Sequence, residues 1–250
     1  MDEPKIKVKS LYKALRLLDC FTEQDTAFGV SAIAEREDLP KSTVHNIFST
    51  FAAYGLLSQD DTNGHYRLGP KVAYLSNIYF STNSAFVFLR TEMERVSSIA
   101  NENVYYGTLF ENQVLYLEAV YASSINRTSN VVGITAPLYC TGIGKNLLAW
   151  SKPEIIDDLY ANPVTKFTDN TITDKSALKA ELKQIRDQGF AIDNMEHEYG
   201  VKCVSVPIFK ADNTLAGAMS ITCPSLRMEG KYAEFAKLLH DAQKNLRPYL

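Results

Sequence analysis

From Ser10 onward the apolar residues Leu11, Leu15, Leu17, Leu18 and Phe21 recur at helical spacing, with Lys13 and Arg16 between them. This is the pattern of an amphipathic helix, with Ser10 as its cap. A second, short helix is predicted over SAIAERED, capped by Ser31, with Ile33, Ala34 and the later Leu39 as its apolar side. Pro40 disfavours helical geometry at Leu39, so the chain breaks there, and a third helix runs from Pro40 or Lys41 to about Tyr54. Its inward stripe is Val44, Ile47, Phe48 and Phe51; Lys41, Ser42, Thr43, His45, Asn46 and Ser49 are left for solvent or a partner. Gly55 stops this helix, and two short runs flanking a turn that ends in Asn63-Gly64 predict a hairpin. Three helices followed by a hairpin is the order of a winged helix-turn-helix.

Beyond Gly69-Pro70, KVAYLSNIYFSTN reads as a linking helix with Val72, Leu75, Ile78 and Tyr79 apolar, a surface for dimerisation or for burial in its own chain. A further amphipathic helix covers about 84 to 101, and VYYGTLF and VLYLEAVY form a hairpin around Glu111-Asn112-Gln113. VKCVSVPIFK and TLAGAMSITCP form another around Ala211-Asp212-Asn213, with helices at about 142 to 161, 174 to 188 and 228 to 247. The resulting class is α+β, an N-terminal winged helix-turn-helix and a C-terminal antiparallel sheet domain. The boundaries are 1–69 for the first domain, 70–83 for the linker helix and 84–250 for the second domain.

Composition moves this picture in one direction. The net charge is −3, and residues 1 to 80 hold nine Lys or Arg against ten Asp or Glu, so the first domain has no general basic surface, and nucleic-acid binding would rest on a local set of contacts. Lys5, Lys7 and Lys9 are the only concentrated positive segment, a DNA arm or a solvated tail. In the wing, His65 and Arg67 are the candidate contacts; on the third helix, hydroxyls near the N-terminus suit phosphate, and Asn46 can pair with adenine. No secretory signal or apolar run of membrane length occurs, so a cytoplasmic protein without membrane contact is expected. Cys20, Cys140, Cys203 and Cys223 lie far apart without a CxxC pair and read as buried thiols.

The ordered segments KSLYKALRLLDCF, LPKSTVH, YRLGP, VGITAPLYCTGIGKNLLAW and GAMSITCPSLRM resemble the IclR family of bacterial transcriptional regulators over nearly the whole chain. That resemblance implies a sensor domain like GAF and PAS folds, and homodimers, commonly paired into tetramers, on palindromic double-stranded DNA operators. It also implies a small metabolite as effector; no cofactor is expected. One position departs from the family: Asn46 stands where the recognition helix usually carries Arg. The expectation is an effector-responsive repressor of a catabolic operon that senses a small organic acid such as a sugar acid or keto acid.

For the sensor site, Gly142 and Gly144 in CTGIGK stand before the helical NLLAW, where backbone N–H groups at a positive helix end attract a carboxylate, although the glycines also suit a tight turn. Ser220 and Thr222 sit two apart, on one face of a strand. The resemblance adds Leu138 as an apolar wall, Ile143 with Gly142 in the loop, Asp193 as an acceptor and Cys203 as a polarizable wall; Tyr105, Tyr106 and Tyr116 could widen or floor the pocket. Two alternatives stay open: a metal- or thiol-responsive regulator using Asp193, His197 and Cys203, and an interaction module that does not bind DNA. Metal ligation is not expected, since the spacing fits no standard pattern. Nor is catalysis, since nothing orients Cys203 and His197 as nucleophile and base.

Overall fold

A computed structural model describes residues 6–22, 25–122 and 130–250; Lys5 of the arm and Glu23-Gln24 of the loop after the first helix lie outside these. The chain divides into two compact units, Met1–Asn83 and Ser84–Leu250.

The first unit contains α1 (Lys9–Arg16), continued by a 3₁₀ turn, Leu17–Cys20, then β1 (Ala27–Phe28), α2 (Val30–Arg36), α3 (Lys41–Tyr54), β2 (Leu57–Gln59), β3 (Tyr66–Leu68) and α4 (Pro70–Ser81). Neither expected serine caps a helix. The flanking residues are Val8 for α1 and Gly29 for α2, and neither supplies a side-chain cap. Between α2 and α3 the Leu39 N–H returns to the Ala34 carbonyl (2.9 Å) while Asp38 adopts φ +50°, a Schellman ending that reverses the chain in a few residues. Leu17, Ile33, Val44, Phe48, Leu57 and Tyr66 close the core, with Phe48 and Tyr66 edge to face at 5.1 Å. The wing has one strand more than its hairpin: β1 pairs with β3 opposite β2, giving the antiparallel order β1-β3-β2. No residue of α1 or α4 is buried, and Leu11, Leu15, Leu75 and Ile78 stay exposed.

The second unit contains α5 (Ser84–Ala100), β4 (Asn103–Phe110), β5 (Gln113–Val120), β6 (Thr135–Pro137), α6 (Gly142–Ala149), α7 (Glu154–Leu159), α8 (Lys175–Gln188), β7 (Ala191–Asn194), β8 (Val201–Phe209), β9 (Leu215–Pro224), α9 (Ser225–Met228) and α10 (Tyr232–Leu246). Among the described residues the strands form one antiparallel sheet in the order β6-β5-β4-β9-β8-β7. One face packs Val104, Val206 and Met219 on Met93 of α5 and on Phe235 and Leu239 of α10. The other packs Val114 and Ala218 against Ile143 and Leu147 of α6 and Leu182 of α8. The helix expected over 142 to 161 is therefore two, α6 and α7, separated at Trp150–Pro153. The glycines of CTGIGK do not precede α6; they form its first turn. A Cβ on Gly144 would lie 2.4 Å from the Leu138 carbonyl oxygen, so close packing demands glycine there.

Candidate DNA face and effector cavity

On α3, Lys41, Ser42, Thr43, His45 and Asn46 are exposed, as expected of a helix that enters a groove; Ser49 is half-buried. In the wing, Asp60 organises the loop, accepting from the Thr62 N–H (2.9 Å) and hydroxyl (2.5 Å), and the Thr62 bonds hold its carboxyl below the usual range. The same carboxylate lies 3.7 Å from Arg67. His65 is exposed, but its ring rests against Gly29, where a Cβ would come within 3.3 Å of it. Arg67 is thus aimed outward with a weak surface partner, whereas His65 is partly engaged at the start of α2.

In the second unit, three strand registers line up Asp193 of β7, Cys203 of β8, Thr222 of β9 and Asn103 of β4 as direct neighbours across the sheet. Ser205, Ser220 and Tyr105 form the adjoining row. Neighbours in such a row share a face, here the face on which α6 sits. Gly142 touches that row: a Cβ on it would be 3.3 Å from Ser205 Cβ and 3.4 Å from Cys203 Cβ. Thr141 caps the helix, its hydroxyl accepting from the Gly144 N–H (3.0 Å) and donating to the Pro137 carbonyl (2.9 Å). The N–H groups of Gly142 and Ile143, first in the helix, have no intrahelical acceptor by construction.

Between this helix end and the polar rows lies a cavity of about 680 Å³. Gly142, Ile143, Asp193, Cys203, Ser220 and Thr222 all line it, as do Tyr105, Tyr116 and His197. Leu138 does not; it is fully buried in the core beneath α6. Tyr106 points through the opposite face and donates to the Ala216 carbonyl at 3.0 Å, because adjacent strand residues alternate. Sequence reasoning missed Asn103, Thr141 and Arg227. Arg227, at the rim, makes a two-pronged pair with Glu102 (2.7 Å for each bond), and Glu102 is only 2% exposed. No local signal links these two residues, which are far apart in the chain.

Electrostatics set the character of this space. Burial pushes the Asp193 carboxyl up to about 7, with the Glu196 carboxylate adding to the shift and the N–H of Glu196, which donates to Asp193 Oδ1 (2.8 Å), opposing it. Glu196 is tied to the fully buried Lys145 of α6 (2.5 Å), which also reaches Glu181 of α8 (3.1 Å). Thr222 donates to Cys203 Sγ (3.1 Å), and burial, then Asp193, drives the thiol well above its ordinary range. That is the reverse of what a reactive thiolate requires. Burial also lowers the His197 pKa. Among the described residues no three His, Cys, Asp or Glu side chains converge as metal ligands would. The buried, protonated Cys203 thiol argues against the thiol-sensing alternative.

Two family models divide the chain between them. Residues 10–61 match the IclR helix-turn-helix domain and residues 82–247 match the bacterial transcriptional regulator IclR C-terminal domain. The chain belongs to the IclR family. IclR-family proteins are DNA-binding transcriptional regulators with an effector-binding C-terminal domain, and not enzymes. Among relatives, the HTH-type transcriptional regulator XynR of Escherichia coli is 29% identical over 94% of each protein. The transcriptional repressor IclR of the same species is 24% identical over 96% of this chain and 89% of its own. A putative IclR regulator from Silicibacter superposes with a TM-score of 0.86 at 26% identity, covering 96% of this chain and 95% of that one. An IclR homologue from Microbacterium hydrocarbonoxydans, solved with 4-hydroxybenzoate, has a TM-score of 0.81 at 24% identity, covering 96% and 98%, and shares the IclR fold. Among the described residues no helix is long and apolar enough to cross a membrane.

Proposed function

We propose that this IclR-family regulator is a cytoplasmic repressor of a catabolic operon that binds a palindromic operator as a homodimer, or a pair of dimers, and responds to a small organic acid, preferably a sugar acid or keto acid. The observation that carries the effector class is the cavity beneath α6, lined by Gly142 and Ile143 of the first turn of that helix and by the hydroxyl residues Ser220 and Thr222. A carboxylate sits at the helix end, and Asp193, Asn103 and the hydroxyls hydrogen-bond the remaining oxygens. A volume of about 680 Å³ leaves room for more than a two- or three-carbon acid. The Microbacterium relative, solved with an aromatic acid, supports acid chemistry in such a fold. Exposed apolar stripes on α1 and α4, including Leu11, Leu15, Leu75 and Ile78, supply surface for pairing two copies.

The test has two arms. Purified protein is titrated onto its own upstream DNA over a range of salt, and a thermal-shift screen runs through sugar, keto, hydroxy and aromatic acids. The reading requires sequence-selective binding that an acid hit weakens. The hit must also lose its stabilising effect in Ser220→Ala and Asp193→Ala. Hits indifferent to both substitutions would refute the site, and a dimer without selective DNA binding would refute the regulator.

A further inference from the structure

At the C-terminal end of α6, away from the glycine turn, lies another cavity of about 510 Å³, walled by Trp150, Phe209, Asn213, Gln243, Lys244 and Arg247. Trp150 ends α6, is 40% exposed, and meets Phe209 edge to face with 5.2 Å between ring centres. The opposite wall comes from the end of α10 and the turn after it, which bring up Lys244 and Arg247. Both charged lining residues are cations, on a chain whose net charge is −3, and no acid lines the cavity among the described residues. Lys244 stands 3.6 Å from Asp241 at the surface, a pair of little strength. Arg247 donates to the Asn213 amide oxygen, a neutral partner that fixes the guanidinium without cancelling its charge. Gln243 donates to the Pro207 carbonyl (2.7 Å), so this wall is anchored to β8.

A half-exposed indole beside a phenyl ring, with an arginine whose partner is neutral and a lysine in a weak surface pair, has a specific chemical complement. It is a flat apolar body that carries a negative charge at one end. We infer that this cleft is a second ligand site, distinct from the effector cavity, that takes a planar aromatic carboxylate. The ring lies against Trp150 and Phe209, and the carboxylate meets Arg247 and Lys244. The two sites then occupy opposite ends of α6, a helix buried over its whole length.

Trp150 is the only tryptophan in the sequence, so its emission reports on this cleft directly. Full-length protein titrated with benzoate should show a saturable change in tryptophan emission that weakens as salt is raised. Arg247→Gln should weaken the apparent Kd at least about tenfold, the scale of a lost charge-assisted hydrogen bond. Lys244→Gln should shift it the same way, and Ser220→Ala should leave it unchanged. Three results would overturn the inference: no saturable change; a change as strong in Arg247→Gln as in the parent; or one lost in Ser220→Ala but kept in Arg247→Gln, which would locate benzoate in the effector cavity. Emission that follows protein concentration instead of benzoate would also overturn it, by making the cleft a contact between copies.

Discussion

Replacing Asp193 by asparagine should make the protein more stable relative to the parent as pH rises, and the structure sets the size of the effect. Asp193 is 4% exposed, and burial raises the pKa of its carboxyl from 3.8 to about 7. Because the folded pKa lies above the unfolded one, the folded state keeps its proton between these values while the unfolded chain has already released its own. Stability is therefore present in full below about pH 4, falls as pH rises through the window, and levels off above about 7. Three units at about 1.4 kcal/mol each give a loss on the order of 4 kcal/mol. Asparagine does not titrate and keeps an oxygen to accept the Glu196 N–H, so it removes the pH-dependent part. Urea unfolding at pH 4.5 to 8, followed by Trp150 emission so that only the second unit is read, should give a difference between variant and parent that grows through the window. Parallel curves would refute the reasoning by showing that Asp193 titrates like an ordinary surface carboxyl.

Lys145→Met strands the buried Glu196 carboxylate, and unfolding by denaturant should show a loss of about 3 to 5 kcal/mol. Gly144→Ala puts a methyl 2.4 Å from the Leu138 backbone oxygen, so α6 must shift; a loss of about 2 to 3 kcal/mol and weaker acid hits in the thermal-shift screen are expected. Ser42→Ala with Asn46→Ala should cut operator affinity about tenfold or more while the size-exclusion profile stays that of the parent.

The helices were readable because their apolar spacing is local, and the hairpin because Asn63-Gly64 announces its turn. Their serine caps were not: α1 begins one residue before Ser10, and α2 starts from Gly29 and already includes Ser31, so both serines sit within the first turn. The strand β1 is two residues long and exists only through its pairing with β3. In the second unit, alternation alone predicts that Tyr105 and Tyr106 face opposite ways, and on this sheet only Tyr105 reaches the cavity. The row from Asp193 to Asn103 depends on three strand registers at once, and the Lys145–Glu196 and Arg227–Glu102 pairs join residues that only the finished fold brings together.

The cavity floor belongs to β8 and β9, which are covered by helices on both sides, so exchanging a floor residue disturbs the packing that holds the domain together. Its rim is different: Val131, Ile134 and Thr135, on and beside the edge strand, are half-buried or exposed. For an engineer turning this scaffold into a sensor for another acid, the rim is the adjustable part. Libraries confined to those positions should change which molecule is recognised while leaving the yield of folded protein intact.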